Sequence, residues 1–325
     1  MDRLISAREL KKYFHVKKGV FSGASRLLRA VDGVSLDVPE NSVVGVVGES
    51  GSGKSTLARM MTALERPSSG DVLFEGESVW SFGRKEMLRF RRAVQIVFQD
   101  PFASLNPRAT VFDTIAEPLR IHRLAAKKEL RDKVAGLLAD VGLGPEVLRR
   151  YPHEFSGGQR QRICIARALA VSPRVIIADE PLSALDVSIQ AQILNILSGL
   201  KRRGRLSFLF ISHDLRVVEY LSDTVNVMYL GKIVEKAETE RLFEKPFHPY
   251  TAGLLAAAPV IGANGGRSAA AAPKGDIPSP IDIPSGCPYH PRCPQKMPAC
   301  EQIIPALAEP PGEPGRLVAC HLWNS

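Results

Sequence analysis

No stretch of this chain approaches the roughly 18 uncharged apolar residues that a membrane-spanning helix needs, so it reads as having no span of its own. The start, Met1-Asp2-Arg3-Leu4-Ile5-Ser6, runs straight into mixed charge and lacks the apolar core of a signal peptide. Five cysteines in 325 residues are too few for a disulfide-rich mini-protein. No internal repeat of fixed period occurs. A composition of 45% apolar and 24% charged residues excludes wholesale disorder and a collagen-like fibre. Length gives a prior of about two domains. The expectation is a cytoplasmic protein unless something else holds it at a membrane.

What is present is unevenly placed. Residues 1–30 hold eight basic side chains against two acidic ones, which is +6 of the chain's net +9. Such a segment meets nucleic acid or anionic lipid in some proteins. Only Tyr13, Phe14 and Phe21 punctuate it, and no nucleic-acid-binding motif accompanies it. It is therefore read as a solvated loop, with no nucleic-acid partner expected. Twelve of the 24 prolines fall between Pro273 and Pro314, after a Gly- and Ala-rich run from Gly262. That composition buries too little apolar surface to fix one conformation and reads as a linker. The expected organisation is a large domain over 1–260 and a linker plus Pro- and Cys-rich extension over 261–325.

The large domain alternates between strand and helix patterns. Ser42–Val47, Val94–Phe98, Arg174–Ala178 and Ser207–Ile211 are short β-branched or aromatic runs of the kind buried strands show. Ile189, Ile193, Ile196, Leu197 and Leu200 recur at helical spacing between the last two. Residues 225–237 read as a hairpin turning at Gly231-Lys232. Residues 110–165 contain no strand run and are expected to be a helical insertion. The pattern predicts an α/β fold with a largely parallel sheet covered on both faces.

Gly48-Glu49-Ser50-Gly51-Ser52-Gly53-Lys54-Ser55 follows the first of those strands directly. It matches G-x-x-x-x-G-K-[ST], the phosphate-binding loop of P-loop NTPases. Glycine lets consecutive backbone N–H groups curl around an oxyanion, and the following helix points its positive end at the phosphates. Lys54 is expected to reach the β- and γ-phosphates of ATP. Ser55 is expected to coordinate Mg²⁺, and Thr56 to help hold the phosphates. Val175–Ala178 then delivers Asp179 and Glu180 at a strand's C-terminal end, where ligands sit in open α/β sheets. Asp179 suits the Mg²⁺ shell, and Glu180 suits polarising the attacking water. Phe155-Ser156-Gly157-Gly158-Gln159-Arg160 opens a further helix, and its Ser-Gly-Gly turn is a second anion cradle.

With these motifs in order, the chain resembles the nucleotide-binding subunit of ATP-binding-cassette (ABC) transporters. The family signature reads LSGGQ, and this sequence has Phe155 in its first place. The resemblance implies the ABC type of P-loop fold: a mostly parallel core sheet, an antiparallel β subdomain, and a helical subdomain over about 100–165. It implies that Ser156, Gly157, Gly158 and Gln159 of one subunit bind the γ-phosphate held by its partner's phosphate loop, in a hetero- or homodimer sandwiching two ATP molecules. Gln99 matches the Q-loop glutamine that contacts Mg²⁺ and senses the γ-phosphate. Ser183-Ala184-Leu185-Asp186 matches the D-loop that crosses the dimer interface. His213 matches the switch histidine. Tyr13 is the expected adenine-stacking aromatic, with Phe14 as its competitor. Every hydrolytic position fits the pattern, so an active ATPase is implied.

The tail narrows the resemblance. His248-Pro249-Tyr250-Thr251-Ala252-Gly253-Leu254-Leu255-Ala256-Ala257-Ala258-Pro259 looks like the C-terminal extension of oligopeptide and dipeptide importer ATPases. Lys12-Tyr13-Phe14, the long insertion before Val31, and Asp100-Pro101-Phe102-Ala103-Ser104-Leu105-Asn106-Pro107 make it closer to the second ATPase of the pair. The resemblance runs from about residue 4 to 322. It implies a peripheral subunit on the cytoplasmic face of the inner membrane, with a second ATPase, two permeases and an extracytoplasmic solute-binding protein. Nickel, glutathione or a sugar is an alternative cargo. A soluble ABC ATPase acting on DNA or ribosomes is a more distant alternative, since only 125 residues separate Lys54 from Asp179 and the chain carries one cassette.

Four cysteines cluster near the end: Cys287, Cys293, Cys300 and Cys320. In a cytosolic chain such clustering favours metal over disulfides, and four soft thiolates suit zinc or an iron–sulfur cluster. The importer resemblance implies a [4Fe–4S] cluster ahead of zinc. Cys164 reads as a small buried hydrophobe.

Overall fold

The computed structural model describes residues 3–17, 25–183, 185–204, 206–257 and 275–323. Its strands are β1 (Arg3–Lys17), β2 (Ser25–Pro39), β3 (Val43–Val47), β4 (Ser69–Phe74), β5 (Glu77–Ser78), β6 (Val94–Val97), β7 (Val175–Asp179), β8 (Ser207–Ser212), β9 (Thr224–Tyr229), β10 (Lys232–Glu238) and β11 (Leu317–Val318). Its α-helices are α1 (Lys54–Met61), α2 (Arg84–Ala93), α3 (Pro101–Ser104), α4 (Val111–Ile121), α5 (Leu130–Asp140), α6 (Gly157–Leu169), α7 (Val187–Arg202), α8 (Leu215–Leu221), α9 (Thr239–Glu244), α10 (Pro249–Ala257) and α11 (Ala299–Gln302).

The seven-stranded sheet has the order β11-β10-β9-β3-β8-β7-β6. Strands β9, β3, β8, β7 and β6 run parallel to one another. All five residues of β3 and of β7 are buried, as apolar runs covered on both faces must be. Each fully buried Val, Ile or Phe here contributes about 1.5–3 kcal/mol by leaving water. Because these strands are parallel, their C-terminal ends form one edge. Val47, Val97, Asp179 and Ser212 all stand on it, which gathers the loops that follow.

The helical insertion is as expected. No strand lies between β6 and β7 among the described residues. Thr110 caps α4 by accepting from the Asp113 N–H at 3.1 Å. Helix α7 turns Ile193, Leu197 and Leu200 into the core, as its spacing requires. Cys164 is buried on α6. Among the described residues no helix is long and apolar enough to cross a membrane.

Two expectations need correction. The basic N-terminal segment is not a solvated loop. Its described residues belong to β1 and β2, two long antiparallel strands in a four-stranded sheet of order β2-β1-β4-β5. Leu4, Ile5, Ala7 and Leu10 fill the core beneath it, while the charges face partners: Arg8 meets Asp37 at 2.6 Å, Lys12 pairs with Glu65, and Arg26 meets Asp282 at 2.9 Å. The hairpin turn sits one residue earlier than expected. Lys232 pairs with Tyr229, leaving Leu230 (φ 42°) and Gly231 (φ 81°) as the two left-handed turn residues of a tight hairpin.

The tail packs against the large domain. The proposed boundary near residue 260 lies outside the described residues. Beyond it, from residue 275, the tail adds β11 to the edge of the main sheet, with Glu235 opposite Val318. Cys287, Tyr289 and Cys300 share the main core with Tyr229 and Tyr250. Arg316 and Glu235, both almost wholly buried, form an ion pair at 2.9 Å. Trp323 stacks on Phe247 with ring centroids 4.3 Å apart and donates its indole N–H to the Phe247 carbonyl.

Candidate functional site

Strand β3 ends at Val47, and the loop Gly48–Gly53 carries the chain into α1. Two of its glycines are obligatory. A Cβ on Gly48 would stand 2.1 Å from the Met228 carbonyl oxygen, and one on Gly53, at φ 104°, 2.0 Å from the Ala30 oxygen. Lys54 begins α1 and is 4% exposed. Its ammonium donates to the Gly48 and Glu49 carbonyls at 2.8 and 3.0 Å. Burial pushes its pKa below the ordinary lysine value, and the facing Glu180 carboxylate opposes that shift.

The opposite wall comes from β6, β7 and β8. The Ser55 hydroxyl donates to Asp179 Oδ1 at 3.0 Å, so two of the three expected Mg²⁺ residues touch. Burial raises the Asp179 carboxyl, with the Ser55 hydrogen bond acting against it. Glu180 stands in the left-handed region at φ 47°, a conformation that costs a non-glycine residue energy and needs support. Its N–H donates to the Ile211 carbonyl at 3.0 Å. Its carboxylate gathers three of the expected partners. Lys54 Nζ lies 3.5 Å from Oε1, while His213 Nδ1 at 3.0 Å and Gln99 Nε2 at 3.3 Å reach Oε2. These contacts enclose a cleft of about 1200 Å³ lined by the phosphate loop, Thr56, Gln99, Glu180, Ser183 and His213.

The remaining site residues lie elsewhere. Ser156 caps α6 in a capping box with Gln159. Gly158 packs so closely on α7 that a Cβ would meet Ile189 Cγ2 at 2.3 Å. Neither these residues nor Gly157 lines the cleft. Asp186 stands exposed at the start of α7. Ala184, within the expected D-loop, lies outside the described residues.

Tyr13 and Phe14 separate, because successive residues of a strand face opposite ways. Phe14 lines the cleft beside Leu28, its cross-strand partner, and Pro280. Tyr13 turns away and donates its hydroxyl to Asp32 at 2.5 Å. Burial, then that bond, pushes its pKa up to about 12. Of the two rings expected to compete for the base, only Phe14 lines the cleft. Neither ring's face is legible from residue order, because the register of β1 shifts between Lys12 and Tyr13.

Two partners of the phosphate loop were not foreseen. The Tyr250 hydroxyl accepts from the Glu49 N–H at 2.9 Å, and Arg292 grips the Glu49 carboxylate. The only sequence signal for Arg292 is its place next to Cys293.

The four clustered cysteines are free thiols, three of them buried. Burial pushes the Cys287 and Cys320 thiols up to about 11, and the other cysteines of the group add to the shift. A backbone bond from Cys287 N–H to the Cys300 carbonyl, 2.8 Å, ties two of their loops. Yet among the described residues no three Cys, His, Asp or Glu side chains converge on a point that would hold a metal ion. The donor set suits a soft metal in kind but not in its present arrangement.

A phosphate loop, a buried lysine, adjacent acids at the end of β7 and a histidine just past β8 define a P-loop ATPase. Family models sharpen this: residues 31–183 match the ABC transporter model, and 234–300 match the oligopeptide/dipeptide transporter C-terminal region. The oligopeptide transport ATP-binding protein AppF of Bacillus subtilis is 47% identical over 99% of this chain and 98% of its own length. The dipeptide transport ATP-binding protein DppF of Escherichia coli is 45% identical over 98% and 93%. Among solved structures, the dimeric post-hydrolysis ATP-binding cassette MJ0796 bound to ADP and Pi superposes with TM-score 0.64 at 26% identity, covering 72% of this chain and 98% of that one. The chain belongs to the ATP-binding proteins of ABC transporters, in their oligopeptide/dipeptide branch.

Proposed function

We propose that this chain is the ATP-hydrolysing subunit of an ABC importer for di- or oligopeptides. The observation that carries the chemistry is the meeting of Lys54, Gln99 and His213 on the Glu180 carboxylate beside the phosphate loop. In this reading Lys54 and the loop N–H groups hold the β- and γ-phosphates. Ser55, Gln99 and Asp179 would hold Mg²⁺, which would neutralise charge developing on the transferred phosphoryl group. Glu180 orients the attacking water, and His213 keeps Glu180 aligned. Catalysis is then positioning plus electrostatic stabilisation. The adenine is assigned to Phe14, because that ring lines the cleft.

The exposed Ser156 turn lies away from the chain's own phosphate loop, which supports pairing with a second cassette. Asp186 then faces the partner. The likeness to peptide-transport ATP-binding proteins supports peripheral attachment at the cytoplasmic face, through two permeases supplied by a solute-binding protein. Phe102, 62% exposed just after Gln99, is an apolar contact for a permease. The four cysteines are assigned to a [4Fe–4S] cluster ahead of zinc, on their softness, clustering and burial, with a rearrangement of side chains needed to converge. Iron, sulfide and zinc assays after anaerobic purification decide this, and stoichiometric zinc without iron removes the cluster.

The function is tested by tagging the chain, solubilising membranes gently and identifying what it brings down. Two permeases and a second cassette ATPase, with ATPase activity stimulated by a peptide-loaded binding protein, are expected. Recovery with ribosomes or DNA and no permease would overturn the transport reading.

A further inference from the structure

Glu49 is an acid inside the loop that receives a polyanion. An unpaired carboxylate between Gly48 and Ser50 would repel a nucleoside triphosphate. The structure gives it a dedicated counter-charge from 243 residues away. Arg292 binds it with both arms, Nη1 to Oε2 at 2.7 Å and Nη2 to Oε1 at 2.9 Å. This fork-to-fork geometry is the strongest and most directional that arginine makes. The Arg292 side chain is 5% exposed, and its guanidinium lies 6.0 and 5.9 Å from the ring centroids of Tyr229 and Tyr289. Those rings pack on Tyr250, whose hydroxyl holds the Glu49 N–H. Both the carboxylate and the backbone of Glu49 are thus fixed by residues C-terminal to the cassette motifs.

We propose that Arg292 is a positioning residue for ATP: it neutralises Glu49 and holds that carboxylate off the phosphates, so the cysteine-bearing tail sets the nucleotide affinity of the phosphate loop. The inference rests on the reading of that loop as the ATP site. Two alternatives compete with it. The pair could be a structural strap whose loss merely loosens the tail, or an ion pair of no consequence for nucleotide.

Charge removal separates these. The full-length chain and its R292A, E49Q and R292A/E49Q variants are titrated with Mg²⁺ and the non-hydrolysable analogue AMP-PNP by calorimetry, with thermal midpoints recorded alongside. R292A is expected to bind about tenfold more weakly, because it leaves the carboxylate uncompensated. In R292A/E49Q the affinity returns to within about threefold of wild type, because no charge is left to neutralise. E49Q alone binds at least as tightly as wild type, and this holds the proposal to account even if R292A does not fold. A double variant as weak as R292A, or an E49Q chain tenfold weaker than wild type, makes the pair a structural strap and overturns the proposal. Unchanged binding by R292A overturns it too. No binding by the wild-type chain would instead overturn the ATP reading, and the proposal with it.

Discussion

Two ion pairs beside the main sheet are built in opposite ways. On the edge where β3, β7 and β8 end, Lys54 and Glu180 stand 3.5 Å apart beside an open cleft, with Glu180 held at φ 47°. Near the β10–β11 edge, Glu235 and Arg316 are bound into the surrounding chain. Glu235 accepts from the Phe247 and His248 N–H groups, both at 2.9 Å, and Arg316 donates to the Lys245 and Arg241 carbonyls, both at 2.7 Å. The first pair opens onto the cleft, within reach of a ligand, and the second holds the chain together. The largest effect should therefore come from Glu180→Gln, which keeps shape and removes the charge. Turnover falls about a thousandfold, ATP still binds, and the thermal midpoint stays near wild type. Near-normal turnover would sink the role given to Glu180.

The second pair breaks the comparison from the other side. Arg316→Met leaves Glu235 buried without its counter-charge, which costs about 3 kcal/mol or more. Denaturant unfolding reads this directly. The prediction is a large loss of stability with the tail first to come loose, seen as early protease cleavage after residue 275. If the variant unfolds like wild type, the tail is not anchored by this pair.

The same contrast governs what could be read from residue order. The ATP edge was legible because its chemistry is local: eight consecutive residues make the phosphate loop, and an apolar strand announces Asp179 and Glu180. The parallel strands were legible for the same reason, as short runs of β-branched residues. The tail was not, because its anchors are distant pairs. Nothing near Arg292 names Glu49, and nothing near Arg316 names Glu235. The N-terminal strands were misread because Arg8, Lys11 and Lys12 dilute the apolar pattern of Leu4, Ile5, Ala7 and Leu10, whose register is broken by a bulge at Glu9, φ 45°. Composition measured the charge there but not the acids waiting across the sheet.

A smaller effect is expected from acid. His248, fully buried beside Glu235, is held neutral, and burial lowers its pKa from 6.5 to about 3. A depressed histidine adds stability that is present above the unfolded value and is lost as pH falls from 6.5 toward 3. Between pH 7 and pH 5 this share amounts to about 2 kcal/mol. Glu235, whose carboxyl is raised by its own burial, works in the opposite direction. The His248 share is therefore the difference between wild type and His248→Asn, each unfolded by denaturant at both pH values. Equal losses in the two chains would assign the acid sensitivity elsewhere.

The smallest effect tests the finest distinction, between two neighbouring rings. Phe14 faces the cleft, and its loss should weaken ATP by about 1 kcal/mol, the scale of one aromatic contact. The KM for ATP rises several-fold in Phe14→Ala while kcat is nearly kept, because base stacking is made equally in ground and transition states. Tyr13→Phe removes only the hydroxyl given to Asp32, outside the cleft. It should leave KM unchanged and lower stability by about 1 kcal/mol, since Asp32 keeps Lys232 at 3.0 Å. A Tyr13→Ala chain with the larger rise in KM would return the adenine to Tyr13. It would also mean that the end of β1 turns over when nucleotide binds, because both rings cannot reach the cleft from one strand register.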